Sequence, residues 1–346
     1  MSTSTRHPLI SEHGLIGDLQ TAALVTTDGT IDWYCCPRFD SPSAFASLLD
    51  QDRGGHFRVV PEREDYVVKQ LYFPDTAILI TRFMSEDGVA ELIDFMPIAE
   101  DSTAASDRHR IVRAVRGVRG EMRLTFQCAP RFDYARGHHT VELNEHGAVL
   151  AGPRLRLTLH GAEGLERRAE DVHLSRVVHA NELVGVILES GADTPPRPVS
   201  ADELTHLFQE TARFWRGWIG RSTYRGRWRE MVDRSAMTLK LLTYAPTGAL
   251  IAAPTAALPE QLGGERNWDY RFTWVRDASF SVGALLALGF REEAAAFMQW
   301  LRDRIEQHVG TTSGPLKIMY RVDGSSDLTE ETLDHLAGYR DSRPVR

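Results

Sequence analysis

The chain has 346 residues, a net charge of −8, 42% hydrophobic residues and 25% charged residues. This length suffices for about two domains and for burial of about three quarters of the unfolded surface, so folding requires neither disulfides nor a structural metal. The composition is typical of a globular protein and excludes a disordered tail or a coiled coil. The acidic balance argues against nucleic acid or an anionic membrane as the main partner.

Cysteine usage and the lack of long apolar runs favour a reducing compartment. Cys35 and Cys36 are adjacent, and with three cysteines in all the chain has neither a disulfide framework nor a CxxC metal pair. We predict that both thiols are buried and inert. The first residues, MSTSTRHPLI, lack a secretion signal, and no apolar run approaches the ~18 residues of a membrane span. A cytoplasmic location without a membrane partner is expected, and the oligomeric state stays open.

Residues 1 to about 190 have the pattern of β-strands. Asp28–Gly29 lies between two β-rich runs, and Asp87–Gly88 repeats this arrangement. An Asp-Gly pair between such runs is the strongest short signal for a hairpin. Three further segments alternate or are β-branched, contain glycines, and are predicted as short strands: HRIVRAVRGVRGEMRLTFQC, RLRLTLHG and VVHANELVGVILES. The pattern predicts an antiparallel sandwich.

After the proline-rich segment ADTPPRPVS the pattern becomes helical. Ser200 and Glu203 form a capping box that predicts the start of the first of about four helices. The third, Ala278 to Leu288, is apolar nearly all round, so we expect it in an interior, with Gly289 as its left-handed cap. The fourth runs from Glu292 to about His308. The apolar stripes of the first two helices are Leu204, Leu207, Phe208, Ala212, Trp215 and Trp218, then Met231, Ala236, Leu239, Leu242 and Tyr244.

The segment Arg266–Phe280, RNWDYRFTWVRDASF, here called the aromatic loop, concentrates aromatic and charged residues. Aromatic faces cover the apolar C–H side of a sugar ring, and Arg and Asp hold its hydroxyls. The composition therefore indicates a sugar site. The alternative is a core aromatic cluster in which Asp277 is only a helix N-cap.

Other candidate functional residues have weaker sequence signals for a binding or catalytic role. We interpret His138 and His139 as part of a surface loop rather than a metal site. Gly263–Gly264 is read as a turn, because the GK[ST] of a phosphate loop does not follow. Glu330 and Glu331 could be paired catalytic acids, but VDGSSDLTEETL is more typical of a turn and a helix start, where carboxylates suit the helix dipole.

Several segments resemble one protein family. Thr247–Phe280 resembles the opening of the catalytic domain of glycoside hydrolase family 15, the glucoamylases and bacterial trehalase-like enzymes. Leu9–Asp50, Tyr72–Phe83 and Ala129–Gly137 resemble the β-sandwich that precedes this domain in the trehalase-like branch. Leu336–Arg346, here called the mouth segment, resembles a stretch that lines the active-site mouth.

The resemblance implies a multi-domain β plus α architecture. Residues 1–191 would form an antiparallel β-supersandwich, residues 192–227 a linker with a linker helix, and residues 228–346 the start of an (α/α)6 toroid. About four helices are too few for six helix pairs, so we expect an incomplete toroid. An open arc would leave apolar helix faces exposed. The residues concerned are Ala284, Leu285, Leu286 and Leu288.

The resemblance also implies which residues bind substrate: Arg276, Asp277, Trp274, Tyr270, Tyr339 and Arg340. The first two match an Arg-Asp pair that holds hydroxyls of the non-reducing-end glucose. The next two match aromatic residues of the same subsite, and the last two fall near a substrate-contacting loop.

The implied chemistry is inverting hydrolysis of an α-glucosidic bond, in trehalose or a malto-oligosaccharide. Two carboxyl groups ~6.5–9.5 Å apart serve as general acid and general base, with water and no organic cofactor. No metal ligand is predicted among the site residues, and a dependence on phosphate or a metal stays open. In the family the acid belongs to a Trp-Glu motif downstream of the mouth segment, and no Trp-Glu pair follows Trp274. We therefore expect the 346-residue chain alone to be inactive. The alternatives are a non-catalytic carbohydrate-binding or regulatory module and, if the resemblance is accidental, a β-sandwich interaction protein.

Overall fold

The computed structural model describes residues 7–99, 101–191, 193–309 and 316–346. Residues 1–6, part of the start predicted to lack a secretion signal, and residue 192, the first of the predicted linker, lie outside the described residues. Within the described ranges, strands dominate the part that precedes residue 192. They are β1 His13–Gly17, β2 Ala22–Thr26, β3 Thr30–Cys35, β4 Ser43–Phe45, β5 His56–Pro61, β6 Val67–Tyr72, β7 Leu79–Met84, β8 Gly88–Phe95, β9 Arg110–Ala129, β10 Thr140–Asn144, β11 Gly147–Ala151, β12 Arg156–His160, β13 Glu166–Arg168, β14 Asp171–His179 and β15 Leu183–Ser190.

These strands form two antiparallel layers joined by β9. One layer has the order β1-β2-β3-β5-β9-β14-β13, with β4 beside β3, and the other has the order β6-β7-β8-β9-β15-β12-β11-β10. The first half of β9 pairs with β8 and β15, and its second half pairs with β5 and β14. The antiparallel sandwich predicted from the sequence is confirmed.

The length of β9 corrects one expectation, because HRIVRAVRGVRGEMRLTFQC forms most of a single strand of 20 residues instead of short ones. Glycine often marks the end of a strand, but here Gly117 and Gly120 lie where β9 passes from one layer to the other. Gly120 has φ +60°, and a Cβ there would lie 1.9 Å from the carbonyl oxygen of Asp87. The glycines allow close backbone approach, so the strand bends without ending.

Both predicted hairpins are present. Gly29 has φ 84°, and the Asp28 carboxylate accepts a hydrogen bond from the backbone N–H of Thr30 at 3.1 Å, which closes the turn between β2 and β3. The turn around Asp87–Gly88 joins β7 to β8. Large apolar side chains from both layers then pack into the core between them, and they include Ile31, Phe45, Phe57, Phe83, Leu92, Leu124, Leu150 and Leu159.

The later part of the chain has helices α1 Ala201–Ile219, α2 Arg229–Leu241, α3 Val275–Ala287 and α4 Arg291–Val309, with two-residue strands β16 Thr243–Tyr244, β17 Ala249–Leu250, β18 Thr273–Trp274 and β19 Met319–Tyr320. Ser200 caps α1 as predicted, since its hydroxyl accepts from the Glu203 backbone N–H at 3.1 Å. Leu204 and Leu207 of α1 pack on the outer face of the sandwich, and Trp215 and Trp218 pack among the other helices. This helix therefore fastens the helical part to the sheet.

Helix α3 differs from its prediction. Ala278, Val282 and Leu285 are buried, but Phe280 is 77% exposed and Leu286 is 52% exposed. The helix therefore buries one face and is not interior all round, and Leu285 is not among its exposed side chains. In the described part of the chain, no helix is long and apolar enough to cross a membrane.

The ends of α3 settle two further expectations. Trp274 is the N-cap residue and makes no side-chain cap bond, so the prediction of Asp277 as N-cap is wrong; Asp277 lies in the first turn. Gly289 has φ 96° and follows the helix as predicted. The expected helix start around Glu330 and Glu331 is also wrong, because this stretch is irregular and its carboxylates pair with arginines instead.

Candidate functional site

The aromatic loop is held as an extended segment against residues 252–257. The backbone N–H of Ala253 donates to the carbonyl oxygen of Tyr270 at 2.9 Å, and that of Ala257 donates to Trp268 at 3.0 Å. Successive side chains of an extended segment point to opposite sides. Arg271 accordingly lies in the interior, while Tyr270 is half-buried. This backbone pairing directs the aromatic side chains of the loop towards the surface.

Four of the predicted residues lie together at the end of the loop. The rings of Tyr270 and Trp274 are tilted by 35° with centroids 5.5 Å apart. One residue beyond Trp274 helix α3 begins, so its first turn carries Arg276 and Asp277. The Arg276 guanidinium donates Nη2 to the Asp277 carboxylate at 2.9 Å and Nε at 3.2 Å.

This group combines exposed charged side chains with an aromatic surface, a combination that can hold the hydroxyls and the C–H face of a sugar ring. The Arg276 side chain is 75% exposed and that of Asp277 is 39% exposed, so both can exchange their mutual contact for hydroxyl groups of a ligand. Burial raises the pKa of Tyr270, and the negative charges of Glu260 and Asp277 add to this. The phenol therefore stays protonated and remains a hydrogen-bond donor beside an aromatic face.

The mouth segment places its two predicted residues differently. Tyr339 is 2% exposed and packs in a cluster with Trp33, and its hydroxyl donates to the carbonyl oxygen of Pro8 at 2.8 Å. Arg340 is exposed and has φ 51°, a conformation that is uncommon for a residue other than glycine. Arg340 is thus open to solvent, whereas the Tyr339 side chain is engaged within the protein.

The mouth segment contacts the earlier part of the aromatic loop. The Asn267 side chain donates to the carbonyl oxygen of Pro344 at 3.0 Å, and the Arg346 guanidinium lies 5.0 Å from the ring centroid of Trp268. Tyr270, Trp274, Arg276 and Asp277 thus form one group. Tyr339 and Arg340 belong to a neighbouring element fastened to the same loop.

Arg271 is a further residue of this region and was not predicted from the sequence as part of the site. Its guanidinium donates Nη2 to the Asp269 carboxylate at 2.6 Å and to the Tyr134 hydroxyl at 2.7 Å, and Nη1 to the carbonyl oxygen of Ser41 at 2.7 Å. It therefore ties the aromatic loop to the sandwich. One sequence feature could have indicated this role. Arg271 follows Tyr270, and successive side chains of an extended segment face opposite sides, so Arg271 is expected to point into the protein.

The weaker candidates have ordinary surroundings. The His138 side chain is 96% exposed, whereas His139 is buried edge-on against Phe132. Within the described residues there is no group of three or more His, Cys, Asp or Glu residues arranged to hold a metal. Cys35 and Cys36 are buried as predicted, and burial raises their pKa values to about 11 and about 12.

A depression of about 380 Å³ lies on the sandwich and shares no lining residue with the aromatic loop. Of its lining side chains, Arg63 contacts Asp87, and Arg63 also lies 2.6 Å from the carboxylate of Asp65 beside the depression. The side chains of all three residues are more than half exposed, so water screens them. This depression therefore offers less for orienting a ligand than the aromatic loop does.

Known proteins resemble this chain along most of its length. Residues 3–185 match the family described as "Trehalase-like, N-terminal", and residues 226–346 match "Glycosyl hydrolases family 15". The chain belongs to the trehalase-like branch of glycoside hydrolase family 15. The family match includes both the sandwich and the aromatic loop.

Curated relatives carry the name trehalase. That of Thermoplasma volcanium is 36% identical over 343 residues, which cover 98% of this chain and 54% of that protein. The trehalase of Thermoplasma acidophilum is 37% identical, and the match covers 93% of this chain and 54% of that protein. The trehalase of Mycolicibacterium smegmatis is 36% identical, and the match covers 98% of this chain and 53% of that protein. The chain spans about half the length of the curated relatives it matches.

One solved structure, "Putative kojibiose phosphorylase from human microbiome", aligns with a TM-score of 0.51 at 8% sequence identity. The alignment covers 91% of this chain and 50% of that chain. A likeness at this identity shows a shared fold alone. It agrees with an antiparallel sandwich followed by helices.

Proposed function

We propose that this protein takes part in the hydrolysis of an α-glucosidic bond, in trehalose or a short α-glucan, from the non-reducing end. The observation that carries the proposal is the exposed Arg276–Asp277 pair beside the Tyr270–Trp274 aromatic pair. The trehalase names of the relatives support the substrate class. We assign the glucose-binding role to these four residues, with Arg340 as a contact from the mouth segment.

The proposed architecture has three parts. Residues 1–191 form the sandwich, residues 192–227 the linker with its helix, and residues 228–346 the first helices of an (α/α)6 toroid. Support comes from the two matched regions, 3–185 and 226–346, which flank the linker helix.

The proposed reaction is inverting and needs a general acid and a general base ~6.5–9.5 Å apart. We propose that neither belongs to these 346 residues, so this polypeptide binds sugar without turnover. The role of its own residues is to hold the glucose ring by stacking and by bidentate hydrogen bonds.

Calorimetric titration of the 346-residue chain with trehalose, maltose and glucose tests the binding site. Arg276→Ala should weaken binding about ten- to a hundredfold, because a bidentate contact from a charged group contributes about 1.5–3 kcal/mol. Arg266→Ala is the matched control, since Arg266 lies in the same loop, is 77% exposed and should leave the affinity unchanged. Equal affinities in the two variants, or no sugar binding at all, would refute the assignment.

Incubation of the same chain with trehalose and maltose tests for turnover. No glucose should be released. Glucose release that Asp277→Ala abolishes would show that the chain is catalytic by itself, contrary to the proposal.

A second candidate is a non-catalytic carbohydrate-binding or regulatory module. It is favoured by the assembly of the aromatic and charged groups on one exposed surface. The test adds a second polypeptide that corresponds to the rest of the relatives' length. Trehalose binding that persists in this mixture without turnover would favour the module. Glucose release in that mixture would favour the hydrolase.

A further inference from the structure

A single turn of the sandwich contacts both elements of the proposed sugar site. It follows β9 and comprises Asp133, Tyr134 and Ala135, which have φ 53°, 56° and 65°. Three successive non-glycine residues in the left-handed region cost conformational free energy, and such a turn persists only where its surroundings impose it. The contacts that impose it here come from residues far away in the chain.

The first contact is with the aromatic loop. The Tyr134 hydroxyl accepts a hydrogen bond from Arg271 Nη2 at 2.7 Å, and the guanidinium carbon lies 5.5 Å from the centre of the Tyr134 ring. The Arg271 side chain is 5% exposed, and its remaining donors are held by Asp269, Ser41 and the Cys35 sulfur. The hydroxyl of Tyr134 therefore completes the set of bonds that fixes the backbone between Tyr270 and the start of α3.

The second contact is with the mouth segment and the residues just before it, since Tyr134 and Ala135 pack against the cluster that contains Leu336 and Tyr339. His335, the residue before that segment, donates Nε2 to the carbonyl oxygen of Tyr134 at 2.6 Å. Two residues along, Arg136 binds the Glu331 carboxylate at 2.9 Å and that of Asp133 at 2.8 Å. The turn and Arg136 thus hold the polypeptide at His335 and Glu331, immediately before the mouth segment, and Tyr134 connects it through Arg271 to the aromatic loop.

We infer that Tyr134 is a positioning residue for sugar binding: the sandwich sets the relative placement of the aromatic loop and the mouth segment through this left-handed turn. The inference deepens the proposed function and rests on it for the identity of the ligand. Tyr134 acts through Arg271 and His335, to neither of which we assign direct sugar contact. The sandwich is then part of the binding apparatus and not only a neighbouring domain.

The test uses Tyr134→Phe, which removes the hydroxyl and retains the ring. Tyr72→Phe is the matched control, because the Tyr72 hydroxyl also makes partly buried hydrogen bonds. Its partners are the backbone N–H and carbonyl oxygen of Leu15, at 2.7 and 3.0 Å, within the sandwich alone. Backbone hydrogen exchange is measured first, without sugar. In Tyr134→Phe, exchange in residues 266–277 and 333–342 should be faster than in the unmodified chain. In Tyr72→Phe, exchange in the same residues should be unchanged.

Trehalose affinity is then measured by calorimetry. Tyr134→Phe should weaken binding about tenfold, because a hydrogen bond to a charged group is lost, while Tyr72→Phe should lower the unfolding temperature without changing the affinity. Unchanged exchange in Tyr134→Phe overturns the inference whether or not sugar binds. Faster exchange with unchanged affinity overturns it too. If the unmodified chain binds no sugar but exchange is faster in Tyr134→Phe, the proposed function is refuted. The inference that Tyr134 positions the two elements then still holds.

Discussion

At the scale of single residues, Arg113 and Asp94 form a fully buried ion pair in the sandwich core. Arg113 donates Nε and Nη2 to the Asp94 carboxylate at 2.9 and 3.0 Å, and Nη2 also donates to the carbonyl oxygen of Gly29 at 2.6 Å. Burial raises the pKa of Asp94, and the Arg113 charge opposes that rise. The pair joins β8, β9 and the first hairpin, so removing one partner leaves an uncompensated charge in the core.

Arg113→Met should therefore lower the free energy of unfolding by about 3–5 kcal/mol. Arg63→Met is the control, because Arg63 also pairs with aspartates but its side chain is 54% exposed. The urea unfolding midpoint of this variant should stay close to that of the unmodified chain. Urea titration followed by circular dichroism provides the measurement. Coincident unfolding curves for the two variants would contradict the structural role of the buried pair.

At the scale of elements, two glycines have opposite roles. Gly120 lies at the bend of β9 with φ +60°, where an added Cβ would lie 1.9 Å from a backbone oxygen. Gly217 lies in α1, and nothing is found within 4 Å of an added Cβ. The first glycine is required by the crossing between layers, and the second only weakens a helix.

Gly120→Ala should lower the free energy of unfolding by at least about 2 kcal/mol, from strain and backbone clash. Gly217→Ala should raise it by about 1 kcal/mol, from helix propensity. The same chemical change thus shifts the thermal midpoint in opposite directions. Shifts of the same sign would show that β9 does not depend on its bend.

At the scale of the whole molecule, the sandwich and the helical part pack as a continuous unit. Trp33 donates its indole N–H to the carbonyl oxygen of Pro254 at 2.6 Å, and Arg38 binds Asp323 at 2.8 Å. Elsewhere the helical part exposes large apolar side chains, namely Phe280, Leu286, Met298 and Ile318, of which Ile318 is 79% exposed. Exposed apolar surface of this kind favours association.

The 346-residue chain should therefore self-associate with increasing concentration, and the double substitution Phe280→Ser with Leu286→Ser should reduce this. Val67→Ser is the control, because Val67 is 62% exposed on the sandwich. Sedimentation velocity over a concentration series gives the measurement. A concentration-independent monomer before substitution would contradict the prediction.

The sequence alone predicted the features that depend on neighbouring residues. The Asp-Gly hairpins, the Ser200 cap, the Gly289 terminus and the buried stripe of α1 all follow from interactions within a few positions, and each is present. The local residue pattern also indicated the aromatic loop. Predictions from the sequence were wrong where distant partners decide the structure. Strand β9, for example, continues past its glycines because each half pairs with different strands.

Tertiary structure decided which side chains of the candidate site are free and which are engaged. Tyr339 and Arg340 are adjacent in sequence, yet one is buried against Trp33 and Pro8 and the other is exposed. Arg271 binds Tyr134, a residue 137 positions away. Composition and spacing predict which residue types can recognise a sugar, but a buried charge takes its partners from whatever the fold brings within hydrogen-bond distance. The residue types of the proposed site could therefore be predicted from the sequence, whereas its connection to the sandwich is visible only in the fold.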